Sequence, residues 1–143
     1  FNYEKYKSAA RPPKEVLSEF EKFLFDKSLI PVAFNGLNFD IFIHQILRNT
    51  CEKPTDYSFL PRFIDPNCLS KAYKEGWKLK EGEDRLAWQW KLANHHRKGL
   101  KTSLSTMAKE FGIPYDFMTL HDSLNDVILL HKVMNKLLWS LEI

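Results

Sequence analysis

Leu29-Ile30-Pro31-Val32-Ala33-Phe34-Asn35-Gly36-Leu37-Asn38-Phe39-Asp40 is the stretch on which the fold class turns. Its first half is short and apolar and runs into Asn-Gly, which reads as a buried strand entering a turn. From Phe39 to Arg48, the residues Phe39, Ile43, Ile46 and Leu47 recur at helical spacing. A strand, a tight turn and a helix therefore meet between Val32 and Ile43. Asp40 stands at that junction, beside Ile41, Phe42 and Ile43. Open α/β sheets place ligands at the carboxyl ends of strands, so Asp40 is a candidate site residue. The plain alternative is that Asp40 only caps its helix through backbone N–H groups.

Upstream, Pro12-Pro13 is well placed to open a helix, with Val16, Leu17, Phe20, Phe23 and Leu24 on one face and a span of about Pro13 to Lys27. Before it, Tyr3, Tyr6 and their lysines read as a solvated approach chain. Downstream, Thr50 to Tyr57 is a polar loop. Phe59 to Asp65 is a second strand candidate carrying Pro61, and Pro66 to Tyr73 is a short helix. Gly76 to Gly82 is a charged loop. Leu86, Trp88, Trp90 and Leu92 alternate with Ala87, Gln89 and Lys91, a period that favours a strand or hairpin arm. A third helix carries Leu104, Met107, Ala108 and Phe111, with Thr102 or Ser103 as its cap and Gly112 and Pro114 as its stop. The last helix runs from about Asp122 to Leu141 with Leu124, Val127, Ile128, Met134 and Leu138 as its stripe. Strands running into helices give an α/β class. Two strands are too few for a stable sheet, so others are expected upstream or from a partner.

Composition agrees with one globular domain. The chain has 143 residues, 44% of them hydrophobic and 27% charged, with 11 Phe, 5 Tyr and 4 Trp to bury. No apolar run of about 18 residues offers a membrane span. Two cysteines, Cys51 and Cys68, are too few for a disulfide scaffold and lack CxxC metal spacing. They suit a reducing compartment, so the expected location is intracellular (cytoplasmic, nuclear or viral) and not secreted. A net charge of +3 permits an anionic partner without demanding one. Neither a Gly-rich phosphate loop nor GxSxG occurs. His95-His96-Arg97-Lys98 is a basic cluster that could hold phosphates beside Trp88 or Trp90, or form a solvated loop.

A second stretch, His121-Asp122-Ser123-Leu124-Asn125-Asp126, joins Asn35–Asp40 as a chemical signal. Asp126 lies near an apolar stripe, where a carboxylate needs a partner such as a divalent metal that Asp40 could share. The alternative is an N-cap at Asp122 and a surface Asp126. Taken in this order, the two stretches resemble motifs of the DEDDh branch of the RNase H-like 3'-5' exonucleases. The Asn35-to-Asp40 spacing is closer to the bacterial exonuclease I type. In the later motif, Ser123 stands where the family has Ala. Leu104 to Ile113 looks like the family helix before that motif, and Lys74 to Lys101 matches nothing in the family.

The resemblance implies an RNase H-like mixed sheet. It also implies metal-dependent 3'-5' hydrolysis of DNA or RNA by two Mg²⁺ or Mn²⁺ ions. Asp40 and Asp126 would be metal ligands, and His121 the general base. Asn35, Asn38 and Phe39 would meet the substrate, with a core position for Phe39 as the alternative. The family's first motif, Asp-x-Glu, is absent: Glu4 is the only acid before Lys14. The expectation is therefore one partial exonuclease domain over residues 1–143, its first strands and two further carboxylates lying upstream, in a companion chain or in a second copy. The alternatives are a non-catalytic nucleic-acid-binding or scaffold domain, and one part of a split nuclease.

Overall fold

The computed structural model describes residues 3–116 and 123–141. Among them lie α1 (Tyr3–Ala9), α2 (Pro13–Leu24), α3 (Asp40–Thr50), α4 (Pro66–Glu75), α5 (Arg85–Ala93), α6 (Leu104–Glu110) and α7 (Ser123–Leu141). Short 3₁₀ turns occupy Gly36–Asn38 and Leu60–Arg62.

The expected α/β, RNase H-like architecture is overturned. No strand or sheet forms among the described residues; Val32 and Ile64 make only an isolated parallel bridge. Ile64 N–H donates to the Pro31 carbonyl at 2.9 Å, and Ala33 N–H donates to the Ile64 carbonyl at 3.3 Å. Turns close in at once on both sides. Leu29 N–H bonds Asp26, Gly36 N–H bonds Ala33, and Phe63 N–H bonds Leu60. Pro31 and Pro61 have no N–H to extend a ladder. Asp65, next to the bridge, is already committed to capping α4.

Local signals place most helices. Pro12 occupies the N-cap of α2 and Pro13 its first turn, although α2 stops at Leu24 and not at Lys27. Asp65 caps α4 by accepting the Asn67 N–H at 2.9 Å, and Gly76 closes that helix at φ 67°. Ser103 caps α6 by accepting the Thr106 N–H at 3.2 Å. The segment expected as approach chain forms α1, with Tyr3 and Tyr6 exposed.

Two further expectations are corrected. Leu86 to Leu92 is not a strand but lies in α5, capped by Asp84, which accepts the Ala87 N–H at 2.7 Å. Its buried residues, Trp88, Gln89, Leu92 and Ala93, form a helical stripe. In α7 the buried residues are Leu129, Val133 and Leu137, spaced at i, i+4, i+8. Leu124, Val127 and Ile128 of the expected stripe are exposed, while Met134 and Leu138 are half-buried.

Most of the buried apolar residues form one cluster from Leu24 to Leu137. Helix α4 contributes Cys68, Leu69 and Ala72, and packs against α5 and α7; α6 packs on α7. Helix α2 packs on α3, which adjoins the Gly36–Asn38 turn. Both cysteines are free and buried. No helix among the described residues is long and apolar enough to cross a membrane.

Gly36 is fully packed. A Cβ there would stand 2.5 Å from Phe63 Cζ and 2.8 Å from Ala33 Cβ. Phe63 is itself buried and cannot swing away freely. Gly36→Ala should cost about 1–3 kcal/mol by overpacking, read as a lower urea midpoint at unchanged slope. An unchanged midpoint would show that the turn yields without penalty.

Candidate functional site

The Asn35–Asp40 turn is held from below by a carboxylate that the sequence did not single out. Asp65 is 1% exposed. Its Oδ1 accepts the N–H of Asn35 at 2.8 Å and of Asn67 at 2.9 Å; its Oδ2 accepts the N–H of Leu37 at 3.2 Å. Burial pushes the Asp65 carboxyl above the usual range, and the backbone donors pull against that. Gln89 locks Asp65 from the other side. Its Oε1 accepts the Asp65 N–H at 2.7 Å, and its Nε2 donates to the Phe63 carbonyl at 3.0 Å. Asn35 sits at φ 60°, in the left-handed region that Asn tolerates better than most residues.

This one turn borders two cavities of opposite character. The first is an apolar groove of about 290 Å³, whose lining includes Phe20, Phe23, Ile30, Val32 and Phe63. Asp40 is its only carboxylate, with His44 on the same wall. Crowding by apolar atoms raises the Asp40 carboxyl above its ordinary pKa, offset in part by a hydrogen bond from its own backbone N–H. Phe39 occupies the N-cap of α3 without a side-chain cap, so the Asp40 carboxylate meets the helix start only through its own N–H. Val32 lies in this groove, and its N–H and carbonyl have no backbone partner among the described residues.

The second is a polar cavity of about 530 Å³. Asn35 and Asn38 line it from the turn, and His95 to Lys98 line it from the loop after α5. Asn35 Oδ1 accepts from Asn38 Nδ2 and from Asn67 Nδ2, each at 3.3 Å. Thr102 Oγ1 donates to Asn67 Oδ1 at 2.8 Å. The basic cluster and the asparagine turn, distant in sequence, thus share one wall. Neither Trp88 nor Trp90 lines this cavity; Trp88 is buried in the core.

Phe39 is 60% exposed, so a core position for it is corrected. Asp126 is half-buried on α7, which packs on α4 and α6. His121 and Asp122 lie outside the described residues. Among the described residues, no group of three or more His, Cys, Asp or Glu could hold a metal ion.

No family model matches the chain, and neither a curated protein nor a solved structure matches it.

Proposed function

We propose that this chain is part of a metal-dependent 3'-5' exonuclease that acts on nucleic acid. The observation that carries this reading is the double role of the Asn35–Asp40 turn. It presents amide side chains to a basic cavity and a desolvated carboxylate, Asp40, to an apolar groove. A carboxylate whose charge is made costly by burial gains from a cation beside it. The sequence resemblance of Asn35–Asp40 and His121–Asp126 to the DEDDh exonucleases supports the same activity, without the sheet expected from that family. Metal, when bound, would polarise the scissile phosphate and its attacking water. Asp40 and Asp126 would be two of its ligands, His121 would take the proton, and further carboxylates would have to join them.

The test is metal-dependent shortening of a 3'-labelled oligonucleotide by the natural polypeptide that contains these residues. Mg²⁺ or Mn²⁺ should be required. Asp40→Asn should slow cleavage by about 10²-fold or more, since metal stabilisation of transition-state charge is worth several kcal/mol. Cleavage at the native rate by Asp40→Asn, or without divalent ions, would remove this reading. A second reading, a non-catalytic nucleic-acid-binding module, draws on the basic cavity alone, which needs no carboxylate. It predicts binding with no shortening under any metal.

A further inference from the structure

The loop from His95 to Lys101 belongs to the part of the chain that resembles nothing in the exonuclease family. Its cavity has a consistent charge. Lys71, His95, His96, Arg97 and Lys98 line it together with Asn35, Asn38, Asn67 and Thr102, and no Asp or Glu is among its lining residues.

The cations are in three different situations. Lys71 is 7% exposed, and its Nζ donates to the carbonyls of Leu92, Ala93 and His95 at 2.8, 3.0 and 3.1 Å. These carbonyls lie at and just beyond the C-terminus of α5, the end of a helix that favours a cation. Lys71 is thus fixed in place with its charge solvated by dipoles and not cancelled by a carboxylate. Arg97 is spent, since its Nε donates to Glu75 Oε1 at 2.8 Å. The Glu75 carboxylate also lies 3.8 Å from His95 Nε2, which is buried without a hydrogen bond. Lys98 and His96 are exposed at the rim and make no hydrogen bond or ion pair among the described residues.

A fixed buried charge, two uncommitted basic side chains and a row of amide and hydroxyl groups suit an anion that is itself a row of hydrogen-bond acceptors. We propose that this cavity binds the phosphodiester backbone of single-stranded nucleic acid, with Lys98 and His96 meeting phosphates and Asn38 and Thr102 orienting them. Lys71 supplies the standing positive field. At about 530 Å³ the cleft falls within the usual range for ligand sites. The inference rests on the nucleic-acid reading above and names where the strand lies: across the asparagine turn, along Asn35 and Asn38.

The experiment is fluorescence anisotropy of a labelled single-stranded thymidine oligonucleotide, about a dozen residues long, in EDTA so that no cleavage intervenes. Lys98→Glu should weaken binding by about tenfold or more and make the slope of log K against log salt shallower by roughly 0.7, the share of one single-strand phosphate. Lys14→Glu, an equal charge change on exposed α2 outside the cavity, should have a much smaller effect. Millimolar inorganic phosphate and polyglutamate serve as competitors, and neither should displace the oligonucleotide. Displacement by phosphate would make this a free-phosphate site and overturn the proposal; displacement by polyglutamate would overturn it in favour of an acidic peptide. Equal losses in Lys98→Glu and Lys14→Glu, with native circular dichroism in both, would also overturn it. Lys98-dependent binding in EDTA, with no shortening of the 3'-labelled oligonucleotide once Mg²⁺ or Mn²⁺ is supplied, would sink the nuclease reading and leave this site standing.

Discussion

Asp65→Ala should be the most damaging single substitution in the chain, at about 3–5 kcal/mol. The carboxylate accepts three backbone N–H groups at 2.8–3.2 Å from a site that is 1% exposed. Hydrogen bonds to charged groups are worth about 1.5–3 kcal/mol each, and a buried donor left unpaired costs about 1–3 kcal/mol. Those losses do not add fully, because the turn can open and let water reach Asn35 and Leu37. A domain of this size has only about 5–15 kcal/mol in total, so the variant should sit near the edge of folding. Asp65→Asn keeps an acceptor oxygen but turns an NH₂ toward the donors, and should fall between Ala and the native residue. Urea titration followed by tryptophan fluorescence measures both. A loss below about 1 kcal/mol for Asp65→Ala would mean that the asparagine turn holds itself, and that its approach to the basic cavity does not depend on α4.

The helix boundaries were legible because their causes are local. Pro12-Pro13, Ser103 and Gly112 each act on the backbone next to them, and α2 and α6 start where these residues say. The strands were not, because a ladder needs a partner that local sequence cannot supply. Leu29 to Phe34 has the apolar run of a strand, but turns at both ends reduce it to one bridging residue, Val32. Helix α5 misled for a different reason. Trp88 and Leu92 are one helical turn apart and both buried, so two of the four alternating positions fit either period. Gln89 settles the matter in the structure, yet it counts as an outward residue in any hydrophobicity pattern. It is buried because it satisfies backbone groups of Phe63 and Asp65. Helix α7 is apolar on several arcs, and contact with α4 and α6 selects Leu129, Val133 and Leu137. For the candidate site, Asn35–Asp40 stood out in sequence as a turn bearing an acid. The meeting of that turn with His95–Lys98 is a tertiary fact, with Lys71 and Asp65 as its hidden supports.

Glu21→Ala should be nearly as costly as the loss of Asp65, at about 3–4 kcal/mol at neutral pH. Glu21 is 11% exposed in its side chain and ties α2 to α3. Its Oε1 accepts from Arg48 Nη1 and from His44 Nε2, and its Oε2 accepts from Lys53 Nζ at 2.8 Å. Arg48 is the residue at risk. Its side chain is 7% exposed, lies over the Phe25 ring at 5.7 Å, and keeps only the Pro54 carbonyl at 2.7 Å once Glu21 is gone. A buried guanidinium that loses its directly bonded carboxylate costs far more than the pair itself contributes, and Asp56, whose carboxyl also feels the Arg48 charge, has no hydrogen bond to it. The half-exposed Lys53 contact adds under about 1 kcal/mol. The double variant Glu21→Met with Arg48→Met should therefore be more stable than Glu21→Ala alone, since both charges leave together. The pH dependence has a definite sign. Burial acts to raise the Glu21 carboxyl, but hydrogen bonds from Lys53 and His44 and the charge of Arg48 outweigh it, and its pKa lies below the ordinary value. A depressed pKa contributes stability that is present above about pH 4.3, the unfolded value, and lost as pH falls through the folded one. The gap between the native protein and Glu21→Ala should thus be widest near pH 7 and close toward pH 3, measured by urea unfolding across that range. A gap that stays constant down to pH 3 would mean that the carboxylate's charge contributes nothing, and that α2 and α3 are joined by apolar packing through Leu17, Leu24 and Ile41.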